Sequence, residues 1–477
     1  SLAGVSAFPG LATYCATKHA VVGFSETLHL ELAANGIGVT AVLPGVVHTE
    51  LSAGHGAPKW IRPIAEVEPE EVGVSSATLG NIDALQERFL AQNAYQGSVV
   101  LVARHGKVCY FKAFGKADEE VPMATDSIFR LASMSKVVAS AAVMQLFERG
   151  LIALHEPLSV HLPEFADTKV AVVKDWQVTQ LRTASRELTP HDLLTMTGGM
   201  TNTWWYRMFE PPIYGVVPKL YHEAGLVDDL NTPPTTLKAN TELIASLPLI
   251  ADPGTMFDYS NNSVDVLCRL VEVVSGMDFN SYLAKNIFEP LGMHEIWFFP
   301  PEDVWHRIAA VYWAGRDEKQ TEASPLGLGM MGPQYTFSEH KTLFSGAGGL
   351  HGTTADYFRF AQMLLNNGEL DGVRVLSPAS VRLMTSNQIG DLSNWQLTQN
   401  KWGYMVDIQA GENAPAGSLH YLGGPGAYSW QGFFSTKFVN NPRLDTVIMT
   451  MSTPGFDGAL PHNLRLVAAA TAAVVGD

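Results

Sequence analysis

Apolar positions along the chain change period several times, and the changes mark out its elements. Residues 14–34 carry apolar side chains at helical spacing and end at Asn35-Gly36, which predicts a helix. Residues 37–43 form a short apolar strand stopped by Pro44-Gly45. Residues 53–74 hold Gly-His-Gly, three prolines and several glutamates, the composition of a linker. An amphipathic helix is predicted over 78–94. Two apolar strands at 98–104 and 107–114 meet at His105-Gly106 and read as a hairpin. A further helix is predicted from 133 to 149, with Gly150 as its stop. From 188 to about 300 the pattern is mostly helical, interrupted by Pro211-Pro212 and Pro233-Pro234. The end of the chain returns to strands at 432–439 and 446–452, followed by a helix at 461–475.

Strands at both ends of a helical middle imply one sheet assembled from distant segments, with a helical insertion. The expected organisation is therefore a fragment over residues 1–55, a linker over 56–76 and a main unit over 77–477. In that unit an α/β part comprises about 77–165 and 340–477, and a helical part about 166–339. The expected class is α/β, in the α+β sense.

Composition narrows the function classes. The chain has 477 residues, 46% hydrophobic and 16% charged, as in ordinary folded proteins rather than disordered arms. Its net charge of −16 disfavours non-specific binding to nucleic acid or to an anionic membrane. Three cysteines, Cys15, Cys109 and Cys268, are too few and too scattered for a disulfide framework or a zinc site. No apolar run has the length of a membrane span, and no signal-peptide pattern opens the chain. A cytoplasmic location is the expectation, although the chain opens on Ser1 without a methionine.

Candidate chemistry centres on Ser133-Met134-Ser135-Lys136. On a helix, residues three apart share a face, so Ser133 and Lys136 are neighbours. Burial favours the neutral amine of a lysine, which then serves as base toward a hydroxyl. Such a Ser-x-x-Lys spacing arises by chance about once in 250 positions. Ser338-Glu339-His340-Lys341 is a second match, but beside Ser345-Gly346-Ala347-Gly348-Gly349 it lies in poor helical context. Downstream, Tyr259-Ser260-Asn261 adds a phenol that can relay protons. No Gly-x-Ser-x-Gly elbow, zincin helix or Walker loop is present.

Together these motifs make the chain resemble the serine β-lactamase-like hydrolases: class C β-lactamases, D-Ala-D-Ala carboxypeptidases and family VIII carboxylesterases. Segments similar to that family recur in order from about Asn81 to the C-terminus. They include Phe129-Arg130-Leu131-Ala132, Leu193-Leu194-Thr195-Met196-Thr197-Gly198-Gly199, Pro253-Gly254, Pro290-Leu291-Gly292-Met293 and Gly348-Gly349-Leu350 before Asp356-Tyr357. The resemblance implies Ser133 as the acylated nucleophile, Lys136 as its activating partner and Tyr259 as second base. It implies an oxyanion hole from the backbone N–H groups of Ser133 and Phe433. It places Asn261 at the substrate or at Lys136.

The family's third motif carries a cation, or Trp-Gly-Gly in many esterases. Here Trp430-Gln431-Gly432 resembles the esterase form, with Gln431 as the departure, followed by an expected strand from Phe433. A tryptophan offers an apolar wall for an uncharged ester, whereas a cation would hold a carboxylate. Trp204 and Tyr206, in an aromatic-rich loop, are candidates for the same pocket, against a reading as plain packing. The expectation is a serine carboxylesterase that needs no cofactor or metal and takes a small-molecule ester. The alternatives are a β-lactamase or D-Ala-D-Ala carboxypeptidase, an acyltransferase of the same fold, or a non-catalytic scaffold.

Ser1, Tyr14 and Lys18 have the spacing of the triad of short-chain dehydrogenases. Residues 42–50 resemble the strand and loop that lie near the nicotinamide in that family. The Gly-rich turn that holds a pyrophosphate should precede this segment and is not in the chain. No dehydrogenase activity is therefore expected. Residues 14–34 would instead dock on the hydrolase or drive formation of a homodimer.

Overall fold

The computed structural model describes residues 65–203, 212–226, 235–313, 341–392, 400–409, 424–455 and 460–476. The chain divides into two compact units, Ser1–Pro63 and Ile64–Asp477. The dehydrogenase-like segment lies outside the described residues, as do Trp204, Tyr206 and most of the second Ser-x-x-Lys match.

The second unit opens with α1 (Ser76–Ala91), capped by the Ser75 hydroxyl accepting from the Thr78 N–H. Strands β1 (Gly97–Arg104) and β2 (Lys107–Gly115) form the expected hairpin. His105 and Gly106 both take positive φ at its turn, the geometry a two-residue hairpin loop needs. Next come β3 (Ile128–Arg130) and α2 (Ser135–Glu148). Strands β4 (Lys169–Lys174) and β5 (Gln177–Thr183) form a hairpin inside the segment expected to be helical. Its turn residues Asp175 and Trp176 both have positive φ without a glycine, so the usual hairpin signal is missing. Helices α3 (Pro190–Leu194), α4 (Pro212–Glu223), α5 (Leu237–Ala245), α6 (Asn261–Ser275) and α7 (Phe279–Leu283) follow.

The chain then contributes β6 (Ile296–Trp297), β7 (His351–Thr353) and α8 (Thr354–Leu365). It ends with β8 (Lys401–Trp402), β9 (Asp407–Ile408), β10 (Tyr428–Gln431), β11 (Lys437–Asn441), β12 (Thr446–Ser452) and α9 (Leu460–Ala472). Among the described residues these ends meet in one antiparallel sheet, ordered β8-β9-β10-β11-β12-β1-β2. This is the sheet built from distant segments that the strand pattern implied.

Strand β1 explains why the sheet needs cover on both faces, since all of its residues are buried. Val100 and Val102 join a core with Leu79, Ile82 and Phe89 of α1 and Leu466 and Val467 of α9. Val99, Leu101 and Ala103 face the opposite core, which contains Val137 and Val138 of α2 and Phe360 of α8. Helix α2 is buried from Ser135 through Leu146, so it is a central helix with no water-facing stripe.

Two differences from the sequence reading bear on the site. Residues 66–74, expected in the linker, already belong to this unit: Glu66 bridges Val108, and Val74 bridges Val474. Of the expected strand over 432–439, residues 437–439 open β11, whereas 432–436 form a turn between β10 and β11. The Gly432 N–H donates to the Thr436 carbonyl at 2.7 Å and the Ser435 N–H to the Gly432 carbonyl at 3.0 Å, with Ser435 at φ +57°. Apolar Phe433-Phe434 looks like strand, but their rings pack with Ala132 and Val311 at the turn.

Candidate active site

Residues Phe129-Arg130 and Gly352-His351, far apart in sequence, pair across β3 and β7. That pairing delivers the chain to Leu131, whose N–H donates to the Leu350 carbonyl at 2.9 Å. A 3-10 turn, Ala132–Met134, then precedes α2, so Ser133 sits on this turn rather than within the helix proper. Ala132 adopts φ +44°, a costly backbone state for a residue with a Cβ. Surrounding bonds hold it there. The Tyr357 hydroxyl donates to the Met134 carbonyl at 3.0 Å, and the Leu350 N–H to the Ser135 hydroxyl at 3.2 Å.

Ser133 is part-exposed, whereas Lys136 is fully buried one turn later. Lys136 Nζ lies 3.1 Å from Ser133 Oγ and donates to the Ala347 carbonyl at 2.5 Å. It also sits 4.8 Å from the centre of the Tyr259 ring. The three residues singled out from the sequence therefore converge on one spot.

Tyr259 is positioned by the Leu193–Gly199 segment. The Asp258 N–H donates to the Met196 carbonyl at 2.8 Å, and the Gly254 N–H to the Thr197 carbonyl at 2.8 Å. Gly199, at φ +75°, allows that approach, because a Cβ there would lie 2.3 Å from the Ala251 carbonyl oxygen. Asn202 completes the clamp. Its amide donates to the Tyr259 carbonyl at 2.8 Å and accepts from the Asn261 N–H at 2.7 Å. Ser260 caps α6, and buried Asn261 is the first residue of that helix.

The opposite wall is aromatic. Trp430 Nε1 donates to the Tyr259 hydroxyl at 3.3 Å, and their ring centres are 5.3 Å apart. Fully buried Trp402 stacks edge-on against Trp430 at 4.6 Å and against Tyr259 at 6.2 Å. Trp430 lies on β10, whose neighbour in sequence, Gln431, points to the other face of the sheet. There Gln431 faces the buried Lys437 ammonium, 3.4 Å from its Oε1. The structure thus separates Gln431 from Trp430 and Tyr259. Gly432 lets β10 reach the segment that carries Ser133: a Cβ there would fall 2.4 Å from the Leu131 carbonyl oxygen. Phe433 follows in the β10–β11 turn and packs beside Ala132.

Sequence reasoning did not single out Asn202, Ala347 or Trp402. Ala347 acts through its carbonyl, which any residue could supply. Asn202 and Trp402 have no fixed spacing from the nucleophile, so only the fold brings them in. Among the described residues no group of three or more His, Cys, Asp or Glu could hold a metal ion. Nor is any helix among them long and apolar enough to cross a membrane.

The Beta-lactamase family matches residues 82–472, and the short chain dehydrogenase family matches residues 1–59. Esterase EstB of Burkholderia gladioli is 30% identical over 408 residues, covering 83% of this chain and 95% of that protein. Protein Rv1367c of Mycobacterium tuberculosis is 30% identical over 391 residues, covering 80% of this chain and 89% of its own. Among solved structures, EstCE1, described as a hydrolase with promiscuous acyltransferase activity, superposes with a TM-score of 0.67. That match has 23% identity and covers 84% of this chain and 99% of EstCE1.

Proposed function

The chain belongs to the beta-lactamase family, and on that footing we propose that it is a serine carboxylesterase acting through an acyl-enzyme at Ser133. The observation that carries the reading is the buried Lys136 amine, whose neutral form burial favours, 3.1 Å from the Ser133 hydroxyl and packed on the Tyr259 ring. A lysine without exposure, in hydrogen-bond reach of a part-exposed serine, is the arrangement a hydroxyl nucleophile needs. The similarity to an esterase along most of both chains supports the ester reading.

Ser133 Oγ attacks the ester carbonyl while Lys136 takes its proton. The oxyanion that forms is held by the Ser133 and Phe433 N–H groups. Tyr259 passes a proton to the leaving alcohol as its bond to the acyl carbon breaks. Water then attacks the acyl-enzyme, the acid leaves, and Ser133 regains its proton. Trp430, half-buried and backed by buried Trp402, presents an apolar wall where a cation could otherwise stand, which favours an uncharged ester over a β-lactam or peptide carboxylate.

Hydrolysis of p-nitrophenyl butyrate by wild type and by Ser133→Ala, beside nitrocefin, tests the reading. Ester turnover that vanishes in the variant is the expected result. Turnover surviving in Ser133→Ala would place the nucleophile elsewhere, and nitrocefin hydrolysis outpacing the ester would favour the β-lactamase alternative.

A further inference from the structure

Asp265 and Ser345 belong to no motif, yet both are fully buried between α2 and α6. Asp265 lies one turn beyond Asn261 on α6. The Ser345 hydroxyl donates to Asp265 Oδ1 at 2.6 Å and accepts from the Ala347 N–H at 3.2 Å. The carbonyl of that same Ala347 accepts from Lys136 Nζ. Asp265, Ser345, the Ala347 backbone and Lys136 are thus linked in series, the link through Ala347 being its rigid backbone rather than a single peptide unit.

The segment carrying Ser345 and Ala347 is wedged in place. Between them, a Cβ on Gly346 would meet Cys268 Sγ at 2.4 Å and the Ala139 Cβ at 2.9 Å, so the backbone itself contacts both helices. The segment closes on itself through the Gly349 N–H donating to the Ser345 carbonyl at 2.9 Å. A buried carboxyl group is costly unless it is hydrogen-bonded, and Ser345 supplies such a bond to Asp265.

We propose that Asp265 is a positioning residue for the esterase reaction: through Ser345 it fixes the Ala347 carbonyl that holds Lys136 against Ser133. Lys136 has a long, flexible stem, and a donor aimed at a fixed carbonyl keeps a single orientation. Releasing that carbonyl would let the Lys136 amine drift from Ser133, while leaving the wall formed by Trp430 intact. The inference rests on the Ser133 reading above.

The test is steady-state kinetics on p-nitrophenyl butyrate for Ser345→Ala, Asp265→Ala, Asp265→Asn and the double alanine variant. Melting temperatures are recorded beside the rates, with Ser133→Ala as control. Ser345→Ala and Asp265→Ala should lose about tenfold to a hundredfold in kcat with KM unchanged, as small misplacements of reacting groups do. Asp265→Asn keeps an acceptor oxygen and should recover most of kcat. Because the groups act in series, the double variant should be no worse than the poorer single variant. Ser345→Ala removes one oxygen atom and keeps the test alive if Asp265→Ala fails to fold. An unchanged kcat in Ser345→Ala, additive losses, or an Asn variant as impaired as the alanine would each overturn the inference. Turnover surviving in Ser133→Ala would instead bring down the parent reading.

Discussion

Replacing Gly432 by alanine tests whether β10 must touch the segment that carries Ser133. The new methyl would lie 2.4 Å from the Leu131 carbonyl oxygen and 2.2 Å from Thr436 Oγ1. Carbon and carbonyl oxygen ordinarily meet no closer than about 3.3 Å, so the strand must retreat from Leu131 by about 1 Å. Such overpacking costs about 1–3 kcal/mol in stability. The larger effect falls on rate. Gly432 sits between Trp430 and Phe433, while Leu131 is two residues before Ser133, so the retreat separates the two halves of the proposed oxyanion hole. A shift of that size predicts a loss of about a hundredfold in kcat. The assay is p-nitrophenyl butyrate hydrolysis with a thermal melt. Adding Thr436→Ala removes the side-chain clash and leaves the backbone one, so the double variant should stay slow. Wild-type kcat in Gly432→Ala, with an unchanged melting temperature, would refute the reasoning.

Three further outcomes follow from named contacts. Trp430→Phe keeps an aromatic wall but removes the N–H that reaches the Tyr259 hydroxyl. Losing a hydrogen bond of about 0.5–1.5 kcal/mol should lower kcat about twofold to tenfold, and steady-state kinetics that show no change would count against that contact. Asn202→Ala strips partners from the Tyr259 carbonyl and the Asn261 N–H; denaturant titration should show about 1–3 kcal/mol lost per group left unpaired. Burial, and then the Arg130 charge, push the His351 pKa from 6.5 down to about 3. Unfolded chains bind that proton more readily, so the stability contribution is present above the ordinary histidine value and drains as pH falls toward 3. His351→Gln should flatten this acid limb in pH-dependent unfolding, and an identical slope in both proteins would show that another group sets it.

The elements that local pattern can specify were readable along the chain. The β1–β2 hairpin, the strand over 446–452 and the helix after Ser133 each follow from period, turn chemistry or a glycine stop, all of which are local. The nearness of Ser133 to Lys136 was readable too, because three-residue spacing brings them together even with Ser133 on the 3-10 turn before α2, whereas the arrival of Tyr259 beside them was expected only from resemblance. Local pattern failed where packing overrode propensity. Phe433-Phe434 reads as strand, but Gly432 and Thr436 close a turn there, and the β4–β5 hairpin lacks the glycine that usually announces one. Fold alone decided who stands behind Tyr259 and Lys136. Asn202, Ala347 and Trp402 meet them across 57 to more than 200 residues of chain, and Asp265 reaches Lys136 only through Ser345 and Ala347. Contacts of that range depend on how the sheet and α2 and α6 pack, and no spacing in the sequence encodes them. The face of β10 that Gln431 occupies was likewise settled by pairing register, since in a strand one residue's shift reverses every side chain.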